Sequence, residues 1–89
     1  MQSLRGPGEN ARVAAGRPVR LVFDLQSTSG NCKLKILNTD GGAVQDTRTS
    51  PVGNRPAASV AGLAPGDYWA RLYCGSDSEL TAEYSLNAK

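Results

Sequence analysis

Turn-forming residues recur along this chain at intervals that are mostly too short to hold a full-length helix. The clusters are Gly6-Pro7-Gly8, Gly16-Arg17-Pro18, Ser29-Gly30-Asn31, Asp40-Gly41-Gly42, Pro51-Val52-Gly53-Asn54, Pro65-Gly66-Asp67 and Gly75-Ser76-Asp77. Gly tolerates positive φ, Pro pre-sets φ, and Asn, Asp and Ser hydrogen-bond their own backbone, so each cluster favours a chain reversal. The stretches between them suit strands of about five to nine residues.

Those stretches carry the period-two alternation of half-buried strands. In Val19 to Gln26, Val19, Leu21, Phe23 and Leu25 share one parity, and Arg20, Asp24 and Gln26, with Val22, share the other. In Cys32 to Asn38, Cys32, Leu34 and Ile36 oppose Lys33 and Lys35, and Leu37 interrupts the polar side. Ala43 to Thr49 follows the hairpin signal Asp40-Gly41-Gly42. Ala57 to Leu63 is a weaker strand rich in Ala and Ser, Tyr68 to Cys74 a strong one, and Leu80 to Leu86 has Leu80, Ala82, Tyr84 and Leu86 in phase. Asn10 to Ala15 has room for a further strand. The pattern predicts an all-β fold: a small antiparallel, jelly-roll-like sandwich of about six to eight strands. Residues 1–8 read as a flexible N-terminal segment and 9–89 as a single domain.

A chain of 89 residues makes one thin-cored domain. Its ten basic and eight acidic residues leave a net charge of +2, and no run of cations forms a basic tract, which argues against nucleic acid as a partner. His is absent, which removes the commonest general base and the commonest zinc ligand. No segment approaches the roughly 20 apolar residues of a membrane span. The first eight residues lack the apolar core of a signal peptide, so an exported protein would carry its signal in a longer parent chain or have lost it.

Cys32 is in phase with Leu34 and Ile36, and Cys74 with Tyr68, Ala70 and Leu72. If those are core faces, both sulfurs point inward and can bridge across or within a sheet, stapling a small domain for an oxidising compartment. Two buried free thiols are the alternative. No CxxC is present to suggest a redox or zinc motif. The expected location is extracellular or periplasmic.

The order of motifs resembles the bacterial pre-peptidase C-terminal domain family. The matching segments are Val19-Arg20-Leu21-Val22-Phe23-Asp24-Leu25, Cys32-Lys33-Leu34-Lys35-Ile36-Leu37 with Asp40-Gly41-Gly42, Leu63-Ala64-Pro65-Gly66-Asp67-Tyr68-Trp69-Ala70-Arg71-Leu72, and Tyr84-Ser85-Leu86. The likeness covers roughly residues 9–88. It implies a jelly-roll-like sandwich appended to a secreted enzyme or surface protein. The L-x-P-G-x-Y segment is also similar to prealbumin-like and Cna-B-type sandwiches, but the closing Tyr-x-Leu favours the first family. Here Asn31, Cys32 and Lys33 stand where members often carry acidic residues, and a cysteine pair is not a family hallmark.

Two groups of residues are candidates for function. Trp69, Arg71 and Tyr73 form a row opposite the core parity of their strand. Two aromatics flanking an Arg can stack on sugar rings or peptide groups and donate hydrogen bonds. The competing reading covers the aromatics with the N-terminal segment or a neighbouring strand. Glu9 and Asn10, with Asp40, Asp67 and Asp77 in turns, are weak calcium candidates, supported by calcium-stabilised relatives of the fold that the resemblance implies. Asp and Asn also belong in turns for their own backbone bonds. No other cofactor is expected.

Nucleophilic catalysis lacks a His base and a G-x-S-x-G elbow, and Glu is limited to Glu9, Glu79 and Glu83, so the reading is not an enzyme. The first functional reading is a non-catalytic binding or targeting module of a larger secreted bacterial protein, with polysaccharide or extracellular protein as partner. The alternatives are a structural or assembly component of a surface or secreted complex, and a small inhibitor or immunity-type protein.

Overall fold

The computed structural model describes residues 2–6, 8–25, 31–76 and 78–89, which hold nine strands and no helix. They are β1 (Gln2–Leu4), β2 (Asn10–Val13), β3 (Val19–Phe23), β4 (Lys33–Asn38), β5 (Ala43–Arg48), β6 (Ser50–Val52), β7 (Arg55–Val60), β8 (Gly66–Tyr73) and β9 (Ala82–Ala88). One sheet has the order β1-β3-β7-β6 and the other β2-β9-β8-β4-β5. This is the two-sheet all-β sandwich that the alternation predicts.

The inward parities are the ones read from the sequence. Leu21 and Phe23 of β3, Leu34 and Ile36 of β4, Ala70 and Leu72 of β8, and Tyr84 and Leu86 of β9 are all buried in one core. The Phe23 and Tyr84 rings meet at 5.2 Å between centroids, a tilted aromatic contact across the interior. The Asp40 turn forms as expected: Gly41 takes a φ of 93° and the Asp40 carboxylate accepts the Gly42 N–H at 3.1 Å.

The strand count exceeds the expected range because two segments change sheets. Residues 2–13 contribute β1 to one sheet and β2 to the other, and residues 43–52 contribute β5 and β6 in the same way. Thr49 makes the second corner. Its N–H donates to the Cys32 carbonyl at 2.8 Å, and its hydroxyl oxygen accepts the Cys32 N–H at 2.6 Å. The corner therefore keeps its backbone groups paired at a buried position, which an interior demands. At the first lateral edge the pairings are parallel, β1 with β3 and β2 with β9, within an otherwise antiparallel body. Alternation reports which residues face inward and carries no sign of strand direction.

Three local expectations are corrected. Gln2–Leu4 is a strand where the sequence reading has a flexible lead-in, because Leu4 is fully buried and Asp24 N–H closes onto its carbonyl at 2.8 Å. The Ala57–Leu63 strand is displaced to Arg55–Val60. Beyond Val60 the chain leaves the sheet, and the Gln45 amide takes over the backbone of Ala61 with two bonds of 3.0 Å. The last strand begins at Ala82, which leaves Leu80 47% exposed, although its parity matches the core set. Gly62 then passes so close to the chain at Gly16 that a Cβ there would sit 2.6 Å from the Gly16 carbonyl carbon. Only Gly fits such a contact between backbones.

Candidate functional site

The sulfurs of Cys32 and Cys74 are bonded. Lys33 pairs with Tyr73, so the bridge joins the residues just outside that pair, within one sheet rather than across the sandwich. It closes a sequence separation of 42 residues. In the chain-entropy account a loop of this size is worth roughly 4 kcal/mol.

That register decides what surrounds the predicted row. β8 lies between β9 and β4, and β5 lies beyond β4. On the outer face Trp69 has Ser85 on one side and Leu37 on the other. Arg71 has Glu83 and Lys35, with Asp46 next beyond Lys35. Tyr73 has Lys33, with Arg48 beyond it. Leu37, which breaks the polar parity of its strand, is 7% exposed and provides an apolar neighbour for the indole.

Trp69, Arg71 and Tyr73 are each half-buried on this face. The N-terminal chain does not cover them by way of its strands. Asn10–Val13 extends the same sheet in its own plane beside β9, and Gln2–Leu4 belongs to the other sheet. Arg71 is held: its Nε donates to Glu83 Oε2 at 2.6 Å. That bond raises the Arg71 pKa above its ordinary value, against a smaller desolvation effect that lowers it. Lys33 Nζ lies 3.3 Å from Asp46 Oδ2, and Lys35 Nζ lies 6.0 Å from the centroid of the Tyr73 ring, a cation–π arrangement.

The sequence reading names the row and misses its flank. In the sequence, Lys33 and Lys35 only alternate with the apolar residues of their own strand, and Glu83 only counts among the three Glu residues. All three border Arg71 or Tyr73. The signal was present in the cysteines. Setting Cys32 opposite Cys74 in antiparallel strands puts Lys33 opposite Tyr73, Lys35 opposite Arg71 and Leu37 opposite Trp69.

The described calcium candidates each engage a partner of their own. The Glu9 carboxylate accepts the Arg5 N–H at 2.5 Å, and the Asn10 side chain accepts from the Ser85 hydroxyl at 3.0 Å. Asp40 closes its turn, and Asp67 accepts from the Asn87 amide at 2.5 Å. Asp77 lies outside the described residues. Among the described residues no three His, Cys, Asp or Glu side chains form a group that could hold a metal ion. None of the described residues forms a helix long and apolar enough to cross a membrane.

No family model matches the sequence, and a search of curated proteins gives no match. Among solved structures, CopC from Methylosinus trichosporium OB3b is similar with a TM-score of 0.56 at 18% identity, over 93% of this chain and 86% of that one. The NK cell receptor Nkp44 is similar with a TM-score of 0.51 at 13% identity, over 92% of this chain and 98% of that one. At such identities the likeness is one of fold alone, and it agrees with the two sheets described above: the chain is a β-sandwich with an in-sheet disulfide.

Proposed function

We propose that this domain is a non-catalytic, extracytoplasmic binding module that takes its ligand on the outer face of the five-stranded sheet. The observation that carries the reading is the placement of Trp69 and Tyr73 on one face, four residues apart on β8, with Arg71 between them and Lys33 and Lys35 alongside. Aromatic surfaces backed by a rigid strand stack on sugar rings or peptide groups at little entropic cost, and the neighbouring cations supply hydrogen-bond donors. Polysaccharide or an extracellular protein is the partner class. The disulfide supports an extracellular or periplasmic setting. Its resemblance to pre-peptidase C-terminal domains supports a place as an accessory domain of a larger secreted bacterial protein. The CopC and Nkp44 folds are compatible with a small domain of this kind.

The test is Trp69→Ala combined with Tyr73→Ala, screened beside the parent domain on glycan and matrix-protein arrays. Loss of roughly tenfold or more in affinity is expected for aromatics at the centre of a binding face. A variant that remains folded and binds as before removes the proposal.

A further inference from the structure

The ladder between β4 and β5 carries an irregularity beside the aromatic row. Ile36 pairs with Gln45 but Leu37 pairs with Ala43, so Val44 is an extra residue in its strand. Such a bulge twists an edge strand and re-aims a side chain. Val44 stands two residues before Asp46, shares its outer face and is 44% exposed. The Gln45 side chain between them turns the other way and bonds to Ala61. Val44 therefore lies on the same face as Leu37 and Trp69, which belong to the next two strands. At the usual spacing between strands the three span about 10 Å, from β8 to the lateral edge of the sheet. They form an apolar strip across the strands, whereas the row Trp69, Arg71 and Tyr73 runs along one. Leu37, nearly buried, is its floor.

A sugar ring laid across this strip would bring hydroxyls against Leu37 and Val44, which return no hydrogen bond, so the water it lost would go uncompensated. An aliphatic or aromatic side chain meets no such cost and gains from burial. The nearby cations do not call for an acidic ligand, because each has a contact within the protein. Arg71 Nε donates to Glu83, Lys33 Nζ lies 3.3 Å from Asp46, Lys35 lies over the Tyr73 ring, and Arg48 is engaged as well. We infer that the face docks a protein. The strip of Trp69, Leu37 and Val44 takes an apolar side chain of an extracellular partner of low net charge, and the engaged charges beside it form the polar rim. This rests on the binding face proposed above and narrows its partner class.

The experiment pans a random-peptide library against the whole 89-residue chain, with a glycan array in parallel, and measures the selected peptides by calorimetry at low and at raised salt. Peptides rich in aliphatic or aromatic residues and low in net charge are expected, with affinity changed less than about twofold by salt. Trp69→Ala and Val44→Ser should each weaken their binding about fivefold or more. Val44 is exposed, so its variant keeps the fold even where Trp69→Ala does not. Val52→Ser makes the same change at an exposed position of the other sheet and should leave binding unchanged.

A Val44→Ser variant that binds the peptides as tightly as the parent overturns the strip. Glycan binding that depends on Trp69, with no peptide selected, overturns the protein assignment and leaves the aromatic face standing. Acidic peptides whose binding collapses in salt overturn it in favour of charge attraction. Equal losses for Val44→Ser and Val52→Ser would also overturn it. Failure to select any peptide overturns the assignment, and the array experiment above then decides the fate of the face itself.

Discussion

The hydroxyl of Tyr84 lies in the core and finds no hydrogen-bond partner among the described residues. An unpaired buried hydroxyl destabilises a fold by about 1–3 kcal/mol, so what holds Tyr84 there is its ring, packed against Phe23. Desolvation, assisted by the negative charges of Glu9 and Asp24, pushes its pKa from 10 up to about 12. The unfolded chain releases this proton first, so the folded state binds more protons between those two values. Stability is therefore fully present below pH 10 and falls as pH rises toward 12. The expected loss is on the order of 2 kcal/mol. Urea denaturation across that interval should show it. Tyr84→Phe should be neutral to stabilising below pH 10 and should remove its share of the alkaline decline. A Phe variant that declines as steeply as the parent assigns the effect elsewhere.

At the level of elements, β4 and β8 form the centre of the five-stranded sheet, and the Cys32–Cys74 bond ties their ends. Replacing both cysteines by Ala should lower unfolding stability by roughly 2–4 kcal/mol and shift the denaturation midpoint with it. A midpoint within error of the parent would mean that the ladder alone holds the register. Much of β3, β4 and β8 was legible because one buried face forces strict alternation. The row Trp69, Arg71 and Tyr73 follows from the same parity. The bounds of β7 and β9 were less legible. Ala-rich segments such as 57–63 alternate weakly, and the parity of Leu80 matches the core although the ladder ends at Ala82 opposite Leu72. Which charges flank the aromatics depends on strand order, which parity within a single strand does not contain.

For the molecule as a whole, the lateral edges govern whether copies associate. The outermost strands are β1 and β6 in one sheet and β2 and β5 in the other. β1, β2 and β6 have only three, four and three residues, and β6 contains Pro51. The longer β5 carries Asp46 and Arg48. Short, charged and proline-bearing edges resist strand addition. Sedimentation should accordingly give a monomer even at high concentration. Concentration-dependent dimers would favour the assembly reading. The amino-acid sequence by itself determined the all-β class and the inward parities, because burial on one side of a pleated strand imposes a period of two. Only the tertiary structure decided that the two sulfurs are bonded, the strand order, the parallel pairing at one edge, and the sheet changes at residues 2–13 and 43–52. Those depend on contacts between residues far apart in the chain, whose energies no local pattern encodes.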